Sequence, residues 1–510
     1  MATSSAIAQD RISRVLGYQI KKGFFNETTP YLPQRIVVLA EANTANQANV
    51  DPSAPFEFID EASVGNEFGF GSPAHQIARI LRPKAGGGVG SVSTVIYAQD
   101  EDVAAVAAEV EITVTGPATQ TVTHFPIING RSNVDGVSYG VNILVGDTDA
   151  IIAGKIADAI NAVPGAPCTA AAALGVVTLT SKWAGVTSDE LNASVDTDGL
   201  PGGVSYAVVN TTAGSGTADI TASLNNFGNT WNTLIINSFK DSAFLNQLEV
   251  FNGRPDANAP TGRYTANIFK PFVALFGNTD STTSTIELIT DTPARKIEST
   301  NAICPAPNSD GFSWEAAANV GALVGPVWNN SPHLDVSGQL YPDMPTALTI
   351  GDFSTYDGRD NLVKKGSSTV DLVSGKYQIQ EIVTTYHPVG EEPAQFRYIR
   401  NLNIDWNIKY GLDLLADINV VDHMVADDNA IVGVDNVIKP KQWKQIISSY
   451  ASDLQSRGLI VDAPFMVDSI EVTTGNTNPD RLDTAFKYKR SPYARVISIT
   501  AVAGFSFGNN

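Results

Sequence analysis

In Arg35-Ile-Val-Val-Leu-Ala40 an apolar run follows the arginine, with the β-branched Ile36, Val37 and Val38 and then Leu39. It reads as a buried strand by its β-branched content. Pro30 and Pro33 lead into it from a polar stretch. Downstream, Ser72-Pro73 places an N-cap before a first-turn proline, and Ile77, Ile80 and Leu81 supply one apolar helical face. Gly86-Gly-Gly-Val-Gly90 ends that helix, and Ser93-Thr-Val-Ile-Tyr97 reads as a second strand. A strand, a helix and a second strand in this order predict an α/β layer.

The pattern changes near residue 107. Val110, Ile112 and Val114 alternate, as do Val137, Tyr139, Val141, Ile143 and Val145, so each run predicts a strand with one buried face. Gly146-Asp-Thr148 turns into a helix with Ile152, Ile156, Ile160 and Val163 along one side. Val176 to Thr180 returns to strand, and a Gly/Ser/Thr-rich stretch from Thr211 to Ala218 closes the unit. This is expected to be a module inserted in a larger domain, an arrangement that costs the host little closure entropy. After Trp231 the α/β character resumes: a strand at Leu234–Ile236, a helical face at Phe244, Leu245 and Leu248, a strand at Ile286–Ile289 and a helix from Trp314 to Leu323. A strand is expected from Tyr377 to Tyr386. Helices follow at 404–421, with Ile404, Ile408, Leu412, Leu415 and Ile418 at three- and four-residue steps, and from Pro440, with Trp443, Ile446, Ile447, Tyr450 and Leu454 on one face. Phe465–Thr473 and Tyr493–Thr500 read as strands.

At 510 residues the chain is long enough for several domains, and its 43% hydrophobic content supports real cores. Its net charge is -20, yet its two ends are basic. Arg11, Arg14, Lys21 and Lys22 against Asp10 give the first 25 residues +3; Arg481, Lys487, Lys489, Arg490 and Arg495 against Asp483 give the last 30 residues +4. Basic ends on an acidic body can fold back on their own chain or reach another copy, and a head-to-tail contact of the second kind propagates into rings or helical filaments. Val496, Ile497 and Ile499 suit strand addition to another molecule; the alternative is a strand completing its own sheet. The acidic balance argues against general nucleic-acid binding, which scales with phosphates neutralised. No apolar run is long enough to span a membrane, and the first residues do not read as a signal peptide.

No catalytic motif emerges. The five histidines are scattered; His423 lies near Asp422, Asp427 and Asp428, but the run lacks the glycine and terminal glutamate of a calcium loop and reads as a helix end with a solvated loop. The glycine run at 86–90 follows a helix and carries no lysine, unlike a phosphate-binding loop. Cys168 and Cys304 are the only cysteines, too few for a disulfide framework, and Cys304 has no local group to lower its pKa. The expectation is therefore no enzyme, no cofactor and no metal. A carbohydrate-active enzyme, given the many Asp and Asn residues, is the alternative from a different class.

Three stretches, taken together, resemble the contractile tail sheath proteins of bacteriophages, closest to the Mu-like sheath group. They are Phe70-Gly-Ser-Pro73 with the helix through Ala78; Gly146-Asp-Thr-Asp-Ala-Ile-Ile-Ala-Gly-Lys-Ile-Ala-Asp-Ala-Ile-Asn-Ala162 with Val176-Val-Thr-Leu-Thr180; and Glu381-Ile-Val-Thr-Thr-Tyr386 with Tyr398-Ile-Arg-Asn-Leu402. Arg359-Asp-Asn-Leu-Val-Lys-Lys-Gly366 also matches. The resemblance spans roughly residues 33–500. It implies an α/β and α+β multidomain fold: an N-terminal arm (1–30), a sheath core in two parts (31–106 and 217–375), an inserted β-rich outer domain (107–216), a C-terminal domain facing the tube (376–480), and a C-terminal strand and arm (481–510). It further implies a homo-oligomer of stacked hexameric rings around a tail tube protein, with baseplate and tail terminator proteins as partners and no direct nucleic-acid contact or stable membrane insertion. Assembly in the bacterial host cytoplasm, a place in the virion tail, and contraction that drives the tube through the envelope for genome delivery also follow from it. A sheath of a phage-tail-like injection particle is the alternative within this reading. The intersubunit arm candidates are Arg11, Arg14, Lys21, Lys22, Lys487, Lys489, Arg490, Arg495, Val496, Ile497 and Ile499.

Overall fold

A computed structural model describes residues 29–255, 259–392, 394–475, 478–501 and 503. The chain divides into two compact units. One is residues 31–409; the described part of the other is residues 29–30 and those from 410 onward. Helices and sheets mix throughout, as expected for an α/β multidomain chain.

The larger unit is organised by a six-stranded sheet in the order Asn301–Pro305, Val273–Asn278, Leu234–Asn237, Arg35–Glu41, Ser93–Gln99, Phe56–Glu57, parallel except for the last strand. Arg35–Glu41 lies at its centre with Ile36 opposite both Leu234 and Thr94, and its Ile36–Glu41 segment is wholly buried. Period-two alternation sends its side chains to two different cores. Val37 and Leu39 join Ile235, Phe239, Phe244, Leu248 and Phe272 on one side. Ile36 and Ile236 point to the other, where the helix Ser313–Asn330 lies. A Cβ on Gly325 would sit 2.8 Å from Ile36, and one on Gly321 2.5 Å from Ile236. The small residues of this helix are thus what let it press onto the sheet.

Residues 109–212 lie in the chain between two strands of that sheet and build sheets of their own. Four antiparallel strands run in the order Ser205–Thr212, Glu109–Thr115, Val176–Ser181, Cys168–Ala173, and three in the order Ala193–Asp196, Val122–Ile128, Val141–Ile143. The helix Asp149–Asn161, capped by the Thr148 hydroxyl, buries Ile152, Ile156 and Ile160. In the smaller unit, the helix Pro440–Ser456 buries Trp443, Ile447, Tyr450 and Leu454. A short helix Ala463–Asp468 and the antiparallel pair Glu471–Thr474 with Leu482–Ala485 follow.

Four sequence expectations are corrected. Ile286–Ile289 lies in a helix, Thr283–Thr290, with Ile286 buried and Leu288 exposed; three apolar residues within four positions, interrupted by Glu287, are too few to fix a period. The strands there are the unforeseen Val273–Asn278 and Asn301–Pro305. Phe465 opens no strand, because Asp462 caps a helix by accepting from the Phe465 N–H at 3.0 Å, and the strand begins only at Glu471. Val137–Val145 breaks at Gly140 into Val137–Ser138 and Val141–Ile143. Tyr493–Thr500 forms no strand; a strand needs a hydrogen-bonded neighbour, and this segment has no sheet partner among the described residues.

Candidate functional site

Two places concentrate what the chain could use: the basic, apolar C-terminal segment, and the seam between the 109–212 sheets and the parallel sheet.

In the C-terminal segment the basic candidates differ in setting. Residues 487–491 run alongside 459–469. The Lys487 N–H donates to the Ser469 hydroxyl at 2.8 Å, the Val461 N–H to the Lys489 carbonyl at 3.1 Å, and the Ser491 N–H to the Leu459 carbonyl at 3.0 Å. Arg490 forms a bridge with Ile460. The Lys489 ammonium is 2.7 Å from Asp462 and 4.2 Å from the centre of the Phe465 ring. That carboxyl is held below its usual range by the Lys489 hydrogen bond and the Phe465 N–H. Lys489 therefore serves its own unit. Beyond residue 491 the setting changes: Arg495 stacks over Tyr493 at 5.2 Å, and Val496, Ile497 and Ile499 are 80%, 77% and 84% exposed. Arg11, Arg14, Lys21 and Lys22 lie outside the described residues.

The seam is built from residues far apart in sequence. Trp183, fully buried, meets Trp314 and Phe312 edge-on with ring centres 5.9 and 5.7 Å away, and Phe312 stacks on Trp314 at 4.5 Å. The Trp183 indole N–H donates to the Thr187 hydroxyl at 3.0 Å, which donates to Glu41 at 2.8 Å at the end of the central strand. Glu190 accepts from the Ser313 N–H and hydroxyl, both at 2.7 Å, and is paired with Lys240 at 2.6 Å. A carboxylate from the 109–212 region thus sits on the first turn of the helix Ser313–Asn330, where the helix dipole favours negative charge. Arg131 reaches Glu315 at 3.0 Å and Asp343 at 2.6 Å. Burial works against the Arg131 charge, but the two carboxylates more than offset it, and the net shift is upward. None of these contacts was legible in the sequence, because no spacing links residues 41, 131, 190 and 313.

Glu41 is the group here whose charge depends on pH. Burial pushes its carboxyl up to about 8; the Thr187 hydrogen bond opposes this, and the nearby Glu101 and Glu190 add to it. An acid whose folded-state pKa is raised is protonated in the fold while the unfolded chain has already released its proton. Stability is then lost as pH rises from about 4.5 to about 8, and no further loss from this group follows above that. We expect Glu41→Gln to flatten that slope, read as the melting temperature between pH 5 and pH 8. A variant whose slope equals that of the unsubstituted chain would contradict it.

The remaining candidates have structural settings. The Asp428 carboxylate accepts from the Lys441 N–H at 2.9 Å in the first turn of the helix Pro440–Ser456, and His423 contacts the Val421 carbonyl at 2.8 Å. The glycine run is closed by Arg82, whose guanidinium donates to the Gly90 and Val92 carbonyls, while the Val89 N–H returns to Leu81. Burial pushes the Cys168 thiol up to about 12 and the Cys304 thiol well above its usual value. Among the described residues no group of three or more His, Cys, Asp or Glu is placed to hold a metal, and no helix is long and apolar enough to cross a membrane.

No family model matches the chain. Among solved structures, it is similar to the sheath tail protein of Desulfitobacterium hafniense, with 12% identity, a TM-score of 0.45, and 93% of this chain and 100% of that one covered. The sheath tail protein of Listeria innocua gives 13% identity, a TM-score of 0.44, and coverage of 91% and 94%. Among curated proteins, the Mu-like prophage FluMu tail sheath protein of Haemophilus influenzae is 23% identical over 379 residues, 73% of this chain and 74% of that protein. By sequence, then, this chain is similar to a tail sheath protein of the Mu-like group, the group that its three motif stretches resemble.

Proposed function

We propose that the chain is a structural subunit of a contractile tail sheath. The observation that carries this is the similarity over 379 residues to a Mu-like tail sheath protein. In this reading copies stack as six-subunit rings around a tail tube protein, between a baseplate and a terminator. Residues 107–216 are the outer domain and 376–480 the domain facing the tube. The chain ends reach neighbouring copies, adding strands to their sheets. The exposed Val496, Ile497 and Ile499, without a sheet of their own, support the C-terminal end in that role. The two-stranded pair Glu471–Thr474 with Leu482–Ala485 is short enough to gain from added strands.

The work is mechanical. A baseplate trigger releases a metastable extended sheath, rings rotate and close on one another, and the tube is driven through the envelope. Kinetic trapping holds the loaded form. The contacts at the seam support movement of the outer sheets together with the parallel sheet as one body, with rearrangement confined to the ends. A phage tail and a tail-like injection particle would use the same subunit.

Negative-stain electron microscopy of the purified protein tests the proposal. Hollow helical tubes are expected, fewer as salt is raised, because basic ends on an acidic body attract less strongly when screened. A protein that stays dispersed at every salt concentration, with or without tube protein, would refute it.

A further inference from the structure

The strand Ser205–Thr212 is the outer strand of the four-stranded sheet, bonded to Glu109–Thr115 on one side. On its other side, no backbone N–H or C=O of residues 205–212 has a partner among the described residues. The other edges of these small sheets are handled differently. The Cys168–Ala173 edge is plugged by Asn161, whose side-chain amide donates to the Ala170 carbonyl at 2.7 Å and accepts from its N–H at 2.9 Å. Val141–Ile143 is three residues long, and Lys155 donates to its Asn142 carbonyl. Ala193–Asp196 is four residues long and ends on an aspartate. Open edges of soluble proteins are ordinarily shortened, plugged or charged because they template pairing with another chain. Ser205–Thr212 is long, unplugged and uncharged.

We infer that this edge is where two copies of the chain meet, Ser205–Asn210 of one pairing antiparallel with the same strand of the other. Charge selects the occupant. Gly199–Ala218 contains no charged residue, in a chain where 53 Asp and Glu outnumber 33 Lys and Arg and two copies therefore repel. Antiparallel self-pairing opposes only members of this neutral set. It also continues both faces of the sheet across the junction: Tyr206 and Val208 align with Val114 and Ile112 on the buried side, and Val209, 59% exposed, aligns with Glu111 on the other. The register shift between Asn210 and Thr212 limits the regular edge to 205–210. Such a two-fold contact is isologous and closed. It cannot repeat inside a filament whose subunits all point one way, so it belongs to the chain before polymerisation. The inference does not rest on the sheath reading.

Both copies carry the chain's net negative charge, so screening their mutual repulsion should strengthen the pair while it weakens contacts made by the basic ends. The test uses the full chain. Sedimentation of its soluble fraction should reveal dimers whose proportion rises with salt, and Val209→Lys should weaken dimerisation at least ~10-fold. Single cysteines replacing Ala207, Val208, Val209 and Asn210, oxidised in turn, should give disulfide-linked dimers several-fold faster at the self-opposed position than at the others; Cys168 and Cys304 are buried and do not compete. A soluble fraction that is monomeric at all concentrations and salts, or linkage equally fast at all four positions, would overturn the inference. Polymer formation, scored separately by microscopy, should be the same for Val209→Lys and the unsubstituted chain, which keeps this outcome separate from the fate of the sheath proposal.

Discussion

Replacing Gly277 with alanine is expected to prevent the larger unit from folding. Gly277 lies in the strand Val273–Asn278, and a Cβ there would fall 1.6 Å from the Ser313 carbonyl oxygen and 2.2 Å from its carbon. Both obstacles are backbone, so no rotamer change relieves them. Either the strand leaves its register with Leu234–Asn237 and Asn301–Pro305, or the first turn of the helix Ser313–Asn330 lifts away. The second route also displaces the Ser313 groups that hold Glu190 and the ring of Trp314, opening the seam. The loss should exceed about 4 kcal/mol, the range reserved for special mechanisms. Against a total of roughly 5–15 kcal/mol it leaves little folded protein. Gly154→Ala supplies the contrast: its position in the helix Asp149–Asn161 has nothing within 4 Å of an added Cβ, and a gain of about 0.5–1 kcal/mol is expected. Soluble yield and thermal melting of the two variants check the pair. Equal behaviour would show that the close approach at Gly277 yields at little cost.

Gly277 also marks where reading the sequence reached its limit. The central strand was legible because a run buried on both faces has a composition of its own, and the helices 149–161 and 440–456 were legible because their apolar residues recur at helical spacing beside a cap or a first-turn proline. Ile286–Ile289 was not, since three apolar residues around Glu287 satisfy a strand and a helix turn equally. Phe272-Val-Ala-Leu-Phe276, the strand that fills that place in the sheet, went unread beside it. At 462–465 the deciding signal, an aspartate two residues before a proline, was present but outweighed by the apolar residues after it. Contacts posed a different problem. The charge of the chain ends could be counted, yet whether Lys489 serves its own unit or another depends on Asp462 and Phe465 lying beside it, which only the fold decides. The seam needs six separate segments brought together, and local pattern holds no information on that.

Ending the chain at Ser491 is expected to abolish polymerisation while leaving the fold and its melting temperature essentially unchanged. The reason is the change of setting at that residue. Up to Ser491 the segment is bonded along 459–469, and Leu459, Ile460 and Met466 are buried there. Val496, Ile497 and Ile499 are almost fully exposed, and Tyr493–Thr500 has no sheet partner among the described residues, so removing that stretch uncovers little core. In the proposed sheath, what it contributes lies between copies. Four main-chain hydrogen bonds at about 0.5–1.5 kcal/mol each, with burial of Val496, Ile497 and Ile499 at about 1.5–3 kcal/mol each, would supply most of the free energy of one joint before the cost of ordering the segment is subtracted. Losing that at every junction of a polymer is decisive, because each copy must be held by its neighbours. Replacing Val496, Ile497 and Ile499 together by aspartate should have the same effect at full length, which separates the loss of apolar contacts from the loss of chain. Circular dichroism and melting report the fold, and electron microscopy reports the polymer. Long tubes from either variant would place the joint elsewhere, and a large fall in melting temperature would mean that the segment supports its own unit after all.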